Sequence, residues 1–382
     1  MLYNIQQFGH MITDTVRMGA YLEALRRTVK PGSVVVDIGA GMGVFALIAC
    51  QLGARRVYAI ESNPLVELGE AMAVANGCAD RITFIREMST AVNLPEQADV
   101  IVADLRGQLP LFGYNIASML DARRRLLKPG GVLLPLRDRI YAALIAAPET
   151  YRTALIEPWV ENPYKLDMSA VLPILLNHNI VDRERAVTLL VKPQEWFTLE
   201  YGYTEEPNVS KTLEWVVDTA GTADFLTVWF DAEIMEGIGY SNAPNNEGPT
   251  IYGRAMLPLE RPIALVPGDR ASVKLSAKLV SGSYQYAWET RVVSGESGQL
   301  KANYQQSSFF SATLSEIRKR SSNFIPRLDR DGQATRFILN EMTEGKTLSA
   351  IAQALRAAFP QDYATDDDAL GKVSAISQRY SE

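Results

Sequence analysis

Short aliphatic and β-branched runs alternate with amphipathic stretches through the first third of the chain, and the pattern then changes. From Ser33 to Asn63, SVVVDIGAGMGVFALIACQLGARRVYAIESN, it reads strand, glycine-rich turn, helix and second strand, the last running from Val57 to Glu61. Pro64 to Asn76 reads as a helix with proline near its first turn, and Ile82 to Ile85 alternates apolar and polar. Ala98 to Asp104 reads as a buried strand ending in an acid. Asn115 to Lys128 reads as a helix stopped by Pro129-Gly130-Gly131, with a strand from Val132 to Leu134. Such repetition predicts an α/β domain with a doubly wound, Rossmann-like parallel sheet over residues 1–135.

From about Arg137 to Ser311 many short β-type runs follow, among them RIYAALIAA, TLEWVVDTAG, DFLTVWFDAEI and ASVKLSAKLV, separated by Gly, Pro and Asn. That spacing predicts an antiparallel sandwich or barrel over residues 136–312. Glu157 to Asp182 interrupts it and reads as a helical arm. From Thr313 three amphipathic stretches, DGQATRFILNEM, TLSAIAQALRAAF and DALGKVSAISQRY, predict a small helical domain over residues 313–382. The run Asp366 to Asp368 reads as a solvated helix start.

The turn after the first predicted strand carries the chemistry. Asp37 ends the β-branched run, and Gly39, Gly41 and Gly43 follow at alternate positions. A dinucleotide turn spaces its glycines G-x-G-x-x-G so that pyrophosphate meets a helix N-terminus. The tighter G-x-G-x-G turn suits backbone N–H groups approaching a small zwitterionic amino-acid moiety. Glu61, closing the second strand, offers two carboxylate oxygens to the two hydroxyls of a ribose. The molecule needing both contacts is S-adenosylmethionine.

Composition narrows the field. The 382 residues are 47% hydrophobic and 21% charged, as in an ordinary globular protein with room for two or three domains. A net charge of −6 argues against a nucleic acid partner. No apolar run approaches the roughly 20 residues of a membrane helix, and the N-terminus has no signal-peptide pattern. Two cysteines, Cys50 and Cys78, lack metal-ligand spacing, and the two histidines, His10 and His178, lie far apart. No metal centre is expected, and a reducing, cytoplasmic setting is.

Several segments resemble the protein arginine methyltransferase family. FGHMITDTVRMGAY (Phe8 to Tyr21) is similar to the family's N-terminal helix, which places Arg17 on the cofactor carboxylate. DIGAGMG with Ile60-Glu61-Ser62 is similar to the glycine turn and ribose acid, and Met88 with Ser89 falls where the family brackets adenine. YKLDMS (Tyr164 to Ser169) resembles the start of a dimerisation arm, here at about 157–182. WFD (Trp229 to Asp231) and GPTIYGRAMLPLERPI (Gly248 to Ile263) resemble barrel strands and the loop between them. The resemblance implies S-adenosylmethionine as cofactor and a homodimer.

The departures fall at the acceptor end. The family holds a guanidinium between two glutamates on the hairpin after the fourth strand, here Ala103 to Tyr114. The first position carries Asp104, one methylene shorter, and the second carries Gly113. The Thr-His-Trp loop becomes Thr250, Ile251, Tyr252. A guanidinium needs planar two-point acceptors, so arginine is a poor acceptor for this site. Asp104, Arg106 and Tyr252 are the candidate acceptor-side residues: Asp104 as base or orienting group, Arg106 as a holder of an anionic acceptor or a solvated loop charge, and Tyr252 as a pocket wall or barrel packing. Asp37 reads as a residue that orients the glycine-turn backbone. Residues 323–359 and the following helix are similar to PqqD-like peptide-recognition modules, which are winged-helix-like and bind leader peptides of ribosomally made, modified peptides. These resemblances imply a methyltransferase acting on such a peptide. The alternatives are a protein or small-molecule acceptor, or a non-catalytic cofactor-binding protein. The ADLRG end of the fourth strand lacks the pocket of a nucleic acid methyltransferase.

Overall fold

The computed structural model describes residues 5–182, 187–246, 251–280, 282–311 and 325–381. Two compact units divide the chain, Met1–Ala312 and Thr313–Glu382.

The first unit begins with two helices, α1 (Ile5–Thr13) and α2 (Thr15–Thr28), in place of the single N-terminal helix implied by the resemblance. Asp14 separates them, because its side chain accepts the Arg17 N–H at 3.0 Å and caps α2. The parallel sheet follows: β1 (Val34–Ile38), α3 (Val44–Gln51), β2 (Arg56–Ile60), α4 (Glu67–Ala75), β3 (Ile82–Ile85), β4 (Ala98–Ala103), α5 (Asn115–Arg125) and β5 (Leu127–Leu134). Its strand order is β3-β2-β1-β4-β5. Every residue of β1 is buried, as expected for a parallel strand covered on both faces. The predicted helix stop at Pro129-Gly130-Gly131 is corrected. The helix ends at Arg125, and those residues lie inside β5, where the pairing with β4 shifts register between Ala98 and Val100.

The chain then builds two antiparallel sheets. The larger comprises β6 (Arg137–Ala146), β7 (Ile180–Asp182), β8 (Thr188–Leu189), β9 (Gln194–Glu200), β11 (Gly221–Met235), β12 (Ile238–Ser241) and β13 (Arg254–Leu265). The smaller comprises β10 (Val209–Val216), β14 (Arg270–Val280), β15 (Ser283–Val293) and β16 (Leu300–Ser307). Buried tryptophans tie them into the predicted barrel-like region: Trp196 on β9 donates to the Leu275 carbonyl, and Trp288 on β15 to that of Pro258, each at 3.1 Å.

The arm is mostly irregular, which corrects the helical expectation. After α6 (Pro148–Tyr151) and one π-helical turn, only a 3₁₀ turn at Ser169–Val171 and α7 (Leu172–Leu175) are helical. Pro158 and Pro163 each remove a helix donor, Pro173 is tolerated in the first turn of α7, and Lys165 adopts a left-handed φ of 57°.

The second unit contains helices Arg330–Thr343, Leu348–Ala358 and Asp366–Tyr380, capped by Asp329, Thr347 and Thr365. The Asp366–Asp368 run opens the last helix, with Asp368 closing a capping box on Thr365. Ile338, Ile351, Leu355 and Val373 form its apolar core. No strand occurs among its described residues, so the winged-helix expectation gains its helices here without a wing. Residues 312–324, where that module would begin, lie outside the described residues.

Candidate active site

A cavity of about 380 Å³ opens at the carboxyl ends of β1, β2 and β4, within the usual range of small-molecule sites. Chain order reverses there: β2 and β3 lie on one side of β1, and β4 on the other. Ligands of open α/β sheets bind at such a switch point.

Gly39, Gly41 and Gly43 all have positive φ, at 70°, 57° and 83°. An added Cβ at Gly39 would lie 2.3 Å from Leu105, and one at Gly41 2.4 Å from Phe8. The turn's donors, however, are directed inward. The N–H groups of Gly39 and Ala40 both bond the Ile60 carbonyl, at 2.9 and 3.1 Å, and Gly41 donates to Glu61 Oε2 at 3.1 Å. These glycines draw the turn onto β2, a correction to the expectation that their N–H groups face a ligand. Glu61 Oε1 also accepts the Asn63 N–H at 2.7 Å, so two backbone donors orient its carboxylate at the cavity wall.

Asp37 lies wholly buried behind the turn and accepts the Ala46 N–H at 3.0 Å. It therefore fastens the first turn of α3 to β1, and not the glycine turn itself. Burial pushes its carboxyl up to about 7, against the pull of that hydrogen bond.

The acceptor end is a buried network of four charges. Arg17 Nε pairs with Asp104 Oδ2, and its Nη1 donates to the Met11 carbonyl at 3.1 Å. Arg106 grips Asp138 two-fold, Nε to Oδ2 at 2.9 Å and Nη2 to Oδ1 at 2.7 Å. Its Nη1 reaches Asp104 Oδ1 at 3.0 Å and the Tyr21 hydroxyl oxygen at 2.7 Å. The Tyr252 hydroxyl donates to Asp104 Oδ1 at 2.8 Å, and the Tyr201 hydroxyl to Asp138 Oδ2 at 2.7 Å.

Burial favours a neutral Asp104, but Arg17, Arg106 and Tyr252 outweigh it and hold this carboxyl below the usual carboxylate range. A carboxylate so fully donated to is a weak base, which favours the orienting role over proton acceptance. For Asp138, burial pushes the carboxyl up while Arg106 and Tyr201 oppose the rise.

The cavity thus brings together Arg17, Gly39, Glu61, Ser62, Met88, Ser89, Asp104, Arg106 and Tyr252. Asp37, Gly41 and Gly43 stand behind it. Arg106 is neither a solvated loop charge nor free to hold an anion: it is 3% exposed and committed to its own carboxylates. Tyr252 combines both anticipated roles, lining the cavity and packing against Phe230 and Tyr240. Thr250 lies outside the described residues. Cys50 on α3 and Cys78, just past the end of α4, pair as a disulfide with Cα atoms 6.3 Å apart, a pairing not expected from a reducing setting. Among the described residues no acidic, His or Cys cluster suits a metal, and no helix is long and apolar enough to cross a membrane.

Comparison with known proteins places this geometry. The profile of the family "Ribosomal protein L11 methyltransferase (PrmA)" matches residues 9–135. A probable protein arginine N-methyltransferase 6 of Arabidopsis thaliana is 34% identical over 166 residues, 43% of this chain and 38% of the relative. The chain therefore spans well under half the length of that relative. An arginine N(omega)-methyltransferase of Streptomyces achromogenes subsp. streptozoticus is 29% identical over 279 residues, 69% of this chain and 74% of the relative. Among solved structures, the Trypanosoma brucei PRMT1 enzyme–prozyme heterotetrameric complex with AdoHcy aligns at a TM-score of 0.68 and 20% identity. That alignment covers 78% of this chain and 96% of the other. The fold is that of the protein arginine methyltransferases.

Sequence reasoning missed Asp14, Tyr21, Asn115, Asp138 and Tyr201. Asp14 joins α2 to the barrel, its second oxygen accepting the Ile251 N–H at 2.6 Å. Asn115 donates to the Pro110 carbonyl at 2.8 Å and to Tyr201 Oη at 3.2 Å. One signal was present in the protein arginine methyltransferase-like barrel: Asp138 falls on the inward phase of β6, which alternates half-buried and buried from Arg137 to Ala142.

Proposed function

We propose that this chain is an S-adenosylmethionine-dependent methyltransferase that modifies a ribosomally synthesised peptide, with the C-terminal unit recruiting the peptide's leader. The observation carrying the transferase reading is the cavity at the sheet's switch point, lined by an oriented Glu61 and by Arg17. Glu61 suits a ribose diol and Arg17 a carboxylate, and an adenosyl-methionine skeleton carries both groups. S-adenosylmethionine supplies, when bound, a methyl group already activated as a sulfonium. The protein's part is alignment and exclusion of water. Arg17 fixes the methionine carboxylate, Glu61 the ribose, and Tyr252 with Asp104 walls the acceptor side.

The leader reading draws support from the second unit, which has a core of its own and displays Ile325 at 83% exposure with Leu328 and Leu348 half exposed. Apolar side chains on a small helical unit suit an amphipathic peptide. Mass spectrometry of a candidate precursor peptide incubated with S-adenosylmethionine is expected to show added methyl groups on the core segment. Deleting Thr313–Glu382 is expected to abolish leader binding; full binding by the truncated protein would remove the recruiting role.

The arm displays Tyr164, Leu166 and Met168 to solvent, 80%, 56% and 44% exposed, which supports a homodimer through this segment. A dimeric mass by light scattering is the expected result, and a monomer at micromolar concentration contradicts it. A second reading takes arginine itself as acceptor, favoured by the names of the two relatives.

A further inference from the structure

The two carboxylates at the acceptor end already enclose a guanidinium, and it belongs to the chain. Arg106 is bound two-fold by Asp138, once by Asp104 and once by Tyr21. Its Cζ lies 5.8 Å from the ring centre of Phe230 and 6.0 Å from that of Tyr240. Paired carboxylates with aromatic faces are what a protein builds to hold a guanidinium. Four of the five N–H donors of Arg106 are thereby satisfied.

Within the acceptor-end network nothing is left over for a second cation. Asp104 spends one oxygen on Arg17 and the other on Arg106 and Tyr252. Asp138 is consumed by Arg106 and Tyr201. Asp14 is consumed by the N–H groups of Arg17 and Ile251. Glu61 lies outside that network, oriented by the N–H groups of Gly41 and Asn63. The network carries two positive and two negative charges, so it offers no net negative charge to a cationic acceptor.

We propose that Arg106 is a built-in occupant of a guanidinium site and acts as the specificity-determining residue of this pocket, excluding arginine and other guanidinium compounds as acceptors. The inference deepens the methyltransferase reading, since it concerns the acceptor of that same site. The acceptor is then a group that needs no carboxylate clamp, such as a hydroxyl, an amide or a carbon nucleophile.

Chemical rescue tests the occupancy without any cofactor. Arg106→Ala leaves two buried carboxylates facing a hole that opens to the cavity. Millimolar methylguanidinium is expected to raise the melting temperature of this variant by several degrees and to leave the wild type unchanged. Equal shifts in both proteins, or none in either, would overturn the proposal. Acceptor exclusion is read on the unmodified protein, so it stands even where the variant does not fold. With S-adenosylmethionine binding first verified by calorimetry, free L-arginine and an arginine-containing peptide are expected to yield no methylarginine by mass spectrometry. Methylarginine formed by the wild type would overturn the proposal while upholding the methyltransferase reading. Absence of cofactor binding would instead strike that reading and leave the rescue result intact.

Discussion

Glu61→Ala is expected to weaken S-adenosylmethionine binding by roughly 10²- to 10³-fold in titration calorimetry. The estimate follows from what the carboxylate does in the folded protein. Its two oxygens are aimed by the N–H groups of Gly41 and Asn63, at 3.1 and 2.7 Å, so a ribose meets an acceptor already fixed in place. Two hydrogen bonds to a charged acceptor contribute about 1.5–3 kcal/mol each, and losing both costs about 3–4 kcal/mol after water replaces part of the contact. The fold is expected to survive, because Glu61 is only partly buried and follows the end of β2. An unchanged circular dichroism spectrum with lost affinity is therefore the expected pair of results. Affinity within threefold of the wild type would remove Glu61 from the site.

Asp138→Ala is expected to cost about 3–5 kcal/mol of stability, the usual penalty for leaving a buried charge uncompensated. Arg106 cannot discharge itself, because a guanidinium stays protonated at any accessible pH, and although burial works against the charged form, Asp138 and neighbouring tyrosines hold its proton more tightly still. The side chains of Arg106 and Asp138 are 1% and 0% exposed, so water cannot take over. Thermal unfolding should show a drop of roughly 10 °C. Adding Arg106→Met to Asp138→Leu should recover much of that loss, since an apolar pair of similar volume replaces an ion pair at little cost. The contrary outcome is a single variant within about 1 kcal/mol of the wild type, or a double variant no better than the single. Either would mean that the pair is not a coupled unit.

What could be read from the chain divides along physical lines. The parallel sheet announced itself because β1, β2 and β4 are local runs whose burial on both faces leaves few polar residues. Glu61 was legible because an acid at a strand end beside a glycine turn has few structural uses. The arm was misread: PYKLDMSAVLPILLN carries helical apolar spacing, yet Pro163 and the left-handed Lys165 hold its first half out of helix, and only Ser169–Val171 and Leu172–Leu175 are helical. The fate of Arg106 was not legible, because its partner Asp138 comes from β6, 32 residues on, and only the packing of the barrel against the parallel-sheet part, where β11 and β12 meet α2, joins them. Charge in a loop reads as solvated until the opposing charge is located. The cysteine pair, 28 residues apart, was hidden for the same reason.

Calorimetric titration of the full chain with S-adenosylmethionine and, separately, with NAD tests the central reading most directly. Saturable binding of S-adenosylmethionine at one site per chain, with no heat from NAD, is the result the geometry of Glu61, Arg17 and the cavity between them predicts. NAD binding, or no binding by the sulfonium compound, would contradict it.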